Sequence, residues 1–89
     1  MAVAGWVLIQ TGVGSARSVA DAFAAFSAPG VRVLSADTVT GPHDVIVHLE
    51  ADTLDRLGEA VETAAKGLAG VENTLTCLTL TSVGPGPTG

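Results

Sequence analysis

Apolar and polar positions along the chain divide it into six ordered stretches separated by short glycine- or proline-containing breaks. Residues 3–11, Val3-Ala4-Gly5-Trp6-Val7-Leu8-Ile9-Gln10-Thr11, are β-branched, aromatic or aliphatic almost throughout, as suits a strand covered on both faces. Gly12-Val13-Gly14-Ser15 breaks the run. Ala16, Val19, Ala20, Phe23 and Phe26 then recur at spacings of three and four, which predicts a helix with Ser15 as its N-cap. Pro29-Gly30 is its stop signal, so the helix is expected to end near Ala28.

Beyond that stop, residues 31–40 alternate as a strand, with Val33 and Val39 facing one way and Leu34 and Ala36 the other. Gly41-Pro42-His43 is turn chemistry leading into a second strand, 44–50, with Val45, Val47 and Leu49 on one face. Asp52 is placed to cap a second helix, in which Leu54, Leu57, Gly58, Val61, Ala65 and Leu68 keep the helical period up to Gly70. A Thr-rich strand, 71–83, closes the domain. Residues 84–89, Gly-Pro-Gly-Pro-Thr-Gly, fit neither regular ladder and are expected to form a flexible tail.

The predicted order is βαββαβ. Pro29-Gly30-Val31 and Ala69-Gly70-Val71 end the two helices in the same way, a weak internal repeat of a βαβ half. Two such units with right-handed crossovers interleave into an α+β, ferredoxin-like fold, an antiparallel sheet of order 4-1-3-2 with both helices on one side. The first strand is apolar on both sides, Val7 and Ile9 pointing one way and Trp6 and Leu8 the other. Helices on one side leave Trp6 and Leu8 uncovered, so these two residues predict a homodimer interface and a dimeric α/β-barrel-like assembly.

Length and charge narrow the function. Eighty-nine residues make one small domain, here 1–83, and a core of that size commonly needs a staple or a partner. The single cysteine, Cys77, excludes a disulfide within the chain and any cysteine-cluster metal site, which leaves a partner subunit. With 4 Lys and Arg against 9 Asp and Glu, the net charge of -5 has the wrong sign for direct nucleic-acid binding. At 47% hydrophobic and 15% charged residues, the chain is expected to fold. It has neither an apolar run long enough to span a membrane nor a basic start of the secretory kind, so a cytoplasmic location is expected. Only Met1 and Ala2 precede the first strand, and no helix-turn-helix is expected.

Few residues invite catalysis. His43 lies in the hairpin turn and reads as a solvated turn residue; His48, on the Asp44, Ile46 and Glu50 side of its strand, reads as an interface residue. Five positions apart on a strand, the two would face opposite ways, which argues against joint metal ligation. Cys77 reads as a small buried apolar residue. Gly12-Val13-Gly14 lacks the third glycine and the lysine of a phosphate loop. No catalytic set, metal site or cofactor is expected. Val39-Thr40-Gly41-Pro42-His43-Asp44 is the most informative stretch, because backbone N–H groups there could take a ligand carboxylate while Asp44 takes its ammonium group. The plain alternative is that Asp44 only caps the turn.

These residues together resemble the effector-binding (RAM) domain of the Lrp/AsnC transcription regulators, without its helix-turn-helix. The likeness covers residues 4–82: the first strand ending in Gln10-Thr11, the Pro29-Gly30-Val31 stop, the Thr40-Gly41-Pro42-His43-Asp44-Val45 hairpin, and Gly70-Val71 followed by Thr74-Leu75-Thr76. It implies a ferredoxin-like domain that pairs through its sheet, assembles further into octamers or similar rings, and holds amino-acid effectors between dimers. By that resemblance the ligand-binding residues are Val39, Thr40, Gly41, His43, Asp44, Thr74 and Thr76. The family has Tyr or Phe where this chain has His43. A full-length Lrp/AsnC regulator is an implied partner. Two other classes share the element order: small dimeric monooxygenase-like enzymes, which would need a histidine facing a roomy cavity under the helices, and ACT-like regulatory domains, which the Thr-Gly-x-x-Asp hairpin disfavours.

Overall fold

The structure, a computed structural model, describes residues 2–83; the expected tail lies outside the described residues. The elements follow in the predicted order: β1 (Val3–Thr11), α1 (Ala16–Ala25), β2 (Val31–Thr38), β3 (Val45–Ala51), α2 (Leu54–Lys66) and β4 (Val71–Leu78). The strands form one antiparallel sheet in the order β2-β3-β1-β4, the predicted order read from its other edge. This is the ferredoxin-like arrangement.

Strand alternation assigns the two sides of the sheet. Val7 and Ile9 of β1 and Val45, Val47, Leu49 and Ala51 of β3 are buried against Val19, Ala20 and Phe23 of α1 and Leu57, Val61 and Ala64 of α2. α1 packs over β2 and β3, and α2 over β3, β1 and β2. Edge strand β4 lies beyond the main packing of either helix. Thr74 and Thr76 share the helix side with their cross-strand partners Ile9 and Val7, yet Thr74 is only half-buried and Thr76 is exposed.

Both helix boundaries differ from expectation for local reasons. α1 stops at Ala25, three residues early, because Phe26 is already extended. Pro29-Gly30 forms a turn instead of a helix cap: Val31 N–H donates to Ala28 O at 3.1 Å, and Gly30 at φ 73° supplies the left-handed corner that a type II turn needs after proline. Ser15 occupies the N-cap position in right-handed geometry, and its side chain caps nothing. In α2 the cap is Thr53, not Asp52; its hydroxyl accepts from Arg56 N–H at 3.2 Å. That helix ends at Lys66, so Gly70 belongs to the turn before β4.

Two register shifts reassign faces. Val33 pairs with Leu49 but Ser35 with His48, so Leu34 is an extra residue in β2. Ala36 consequently packs against the core with Val33, opposite to the side expected for it, and Leu34 is left exposed. A second shift, at Gln10/Thr11 opposite 71–73, leaves Glu72 as an extra residue at the start of β4. β4 itself ends at Leu78 instead of Val83, since Thr79 N–H donates to Ala4 O and β1 then has almost no residues left to pair.

Away from the helices, Trp6, Leu8 and Gln10 of β1 stand beside Ile46 and His48 of β3 and Leu75 and Cys77 of β4. Trp6 remains 40% exposed and Leu75 52%. Cys77, expected to be buried, is exposed on this side, because the helices cover the other.

Candidate ligand-binding site

At one end of the sheet, β1 finishes, β3 begins and β4 begins. The loop from Val39 to Asp44 closes over this end by backbone pairing: Val39 N–H donates to Asp44 O at 2.9 Å, and Asp44 N–H donates to Ile9 O at 2.8 Å. The Asp44 carboxylate then turns toward β1, where Oδ2 accepts from Thr11 N–H at 2.9 Å in a part-buried, charge-assisted bond. The bond ties the carboxylate to another strand, 33 positions away in the chain, and does not cap the turn within the loop. It occupies Oδ2 and leaves Oδ1 without a hydrogen bond among the described residues.

Gly41 sits at φ 144°, in the region that favours glycine, and a Cβ built there would meet nothing within 4 Å. The requirement is conformational, and the space beside its backbone is open. Thr40 is exposed, while Val39, His43 and Asp44 are half-buried. A loop that combines open backbone, a hydroxyl and a carboxylate can offer donors to an anionic group and an acceptor to an ammonium.

Two side chains to which the sequence assigned no binding role hold this loop. Gln10 Nε2 donates to Pro42 O at 3.0 Å, and Asn73 Nδ2 donates to Gln10 Oε1 at 3.3 Å, so a short polar relay runs from β4 across β1 to the loop. The signal was a polar residue closing an otherwise apolar strand, but its partner lies 63 positions away and is found only once β4 is laid beside β1, where Gln10 and Asn73 are direct cross-strand partners.

The threonines do not join the loop directly. Asp44 lies on the β3 side of β1 and Thr74 on the β4 side, two inter-strand spacings or roughly 10 Å apart. Thr76 is two pairs further along, opposite Val7. The histidines lie off the core: His48 is on the open side of the sheet, stacked on Trp6, and His43 is in the loop. Among the described residues, no three His, Cys, Asp or Glu side chains cluster as metal ligands, and no helix is long and apolar enough to cross a membrane.

No protein-family model matches the chain, and no curated protein matches it. Solved structures do. The chain is similar to TTHA0845 from Thermus thermophilus, at 26% identity and TM-score 0.79 over 92% of this chain and 98% of that one. It is also similar to FFRP-DM1, at 28% identity and TM-score 0.75 over 88% and 99%. At 17% identity, where likeness shows the fold alone, it matches the Neisseria meningitidis transcriptional regulator NMB0573 in complex with L-Met, with TM-score 0.74 over 92% of this chain and 52% of that one. Escherichia coli AsnC shares the same fold. The structural neighbours thus include Lrp/AsnC-family proteins and small stand-alone homologues, and the fold of the chain is consistent with a RAM-like domain.

Proposed function

We propose that this chain is a non-catalytic module that binds an amino-acid effector and oligomerises, and that the module does not contact DNA itself. The observation that carries the reading is the Val39–Asp44 loop: Thr11 N–H fixes the Asp44 carboxylate through one oxygen, the other oxygen stays free for an ammonium group, and the Gly41 backbone beside it is open. The fold agrees, since one similar structure is a regulator solved with L-Met.

In this reading the open side of the sheet, with Trp6, Leu8 and Leu75, is covered by a second copy of the chain. The patch centres on β1, where Trp6, Leu8, Ile46 and Leu75 surround the stacked His48, and its largely apolar character suits a self-complementary contact. Thr74 and Thr76, too far from Asp44 within one copy, act at a seam where dimers meet and the effector is held, in the octamer or similar ring that the family resemblance implies. His43 takes the place of the family's aromatic residue against the effector. The module acts in the cytoplasm, alone or by co-assembling with a full-length Lrp/AsnC regulator.

The test is a thermal-shift screen of the intact chain against the standard amino acids. A ligand that binds the folded assembly raises its melting temperature. A flat response to all of them at millimolar concentration would overturn the effector assignment.

A further inference from the structure

Gln10 belongs to two parts of the molecule at once. By strand alternation it continues the Trp6-Leu8 stripe on the open side of the sheet, and its amide reaches the Val39–Asp44 loop at Pro42 O. Among the described residues it is the one side chain that ties that side of the sheet to the loop by a hydrogen bond. Both of its bonds, to Pro42 and from Asn73, are solvent-exposed in the single chain. Water competes with exposed bonds of this kind, and excluding that water strengthens them.

We propose that Gln10 is a positioning residue that couples pairing through the open side of the sheet to the order of the 39–44 loop. The inference rests on the sheet-to-sheet dimer described above and adds how the site at its edge is regulated. A second copy laid over Trp6 and Leu8 shields the end of the same stripe, so the Asn73-Gln10-Pro42 relay tightens and the loop is held closed. Coupling between two binding events is reciprocal. A ligand that orders the loop therefore tightens the dimer by the same factor, with Gln10 carrying the exchange between them.

The Val39 and Asp44 amides, both bonded when the loop is closed, report its opening by hydrogen exchange. NMR exchange is measured on the intact chain without ligand, from dilute, largely monomeric samples to concentrated, largely dimeric ones, with dimer fraction from sedimentation in the same buffer. In the wild type these two amides should slow by roughly two- to tenfold on dimerisation, the worth of about one neutral hydrogen bond. At matched dimer fraction, Gln10→Met should lose that dependence. So should Gln10→Glu, which still accepts from Asn73 but cannot donate to Pro42. Retention of the wild-type dependence in either variant overturns the coupling while leaving the dimer intact. A wild type that stays monomeric throughout overturns the dimer and the coupling together.

Discussion

The Trp6 indole and the His48 imidazole are stacked, their ring centroids 3.9 Å apart and their planes 1° from parallel, on the side of the sheet that the helices leave open. They are direct cross-strand partners on β1 and β3, so the sheet itself sets the stack. The pair makes a flat plate at the centre of the sheet, and 40% of Trp6 still faces solvent. Burying that remainder against a second copy is worth about 2 kcal/mol per subunit. Trp6→Ala should therefore shift a micromolar dimer to monomer by sedimentation equilibrium. Wild-type emission from this single tryptophan should also move to shorter wavelength as concentration rises. Equal association of wild type and variant would rule this surface out as the dimer contact.

Phe23 is 2% exposed and joins α1 to the Val7, Ile9, Val45 and Val47 floor of the core. Phe23→Ala should cost about 3–5 kcal/mol in urea denaturation, most of the stability available to a small domain. A loss near 1 kcal/mol, on the order of a surface change, would mean that α1 packs far more loosely than described.

For α2, the cap geometry separates two neighbours. Thr53→Ala removes the acceptor of Arg56 N–H and should destabilise the fold by about 1 kcal/mol, whereas Asp52→Ala, which removes no side-chain hydrogen bond, should cost less. The comparison is made by chemical denaturation, and the reverse ranking would restore Asp52 as the cap.

Element types and sheet order could be read from the sequence because local signals agreed with each other there. β1 is apolar on both sides, the alternation of Val45, Val47 and Leu49 is unbroken, and the helical spacing of Val19, Ala20 and Phe23 is regular. Errors arose where one local signal has two solutions. Pro29-Gly30 can end a helix or make a turn, and the turn is what forms, because the helix has already stopped at an extended Phe26 and Gly30 supplies the left-handed corner. The facing of Ala36 was inverted by Leu34, an extra residue that becomes visible only once β2 is laid beside β3. Cys77 looked buried because the strand pattern does not say which side of the sheet the helices cover.

For the candidate site, Gly41 and Asp44 stood out as turn chemistry, and the structure ties Asp44 to Thr11. Gln10 and Asn73 stayed hidden, since nothing in either residue's neighbourhood announces a bond between the ends of two strands. The separation of Asp44 from Thr74 was likewise beyond a sequence pattern, being a matter of which strand lies between them.

Asp44 carries the central claim, and calorimetric titration of amino acids into wild type and Asp44→Asn tests it most directly. Asparagine keeps an oxygen for Thr11 N–H, so the loop remains closed while the charge that would meet an ammonium group is lost. At least one amino acid should bind the wild type, and the variant, still dimeric, should bind it more weakly by about 1.5–3 kcal/mol. Equal affinity in both proteins, or no binding by the wild type, would contradict the effector site and leave Asp44 as a structural tie between the loop and β1.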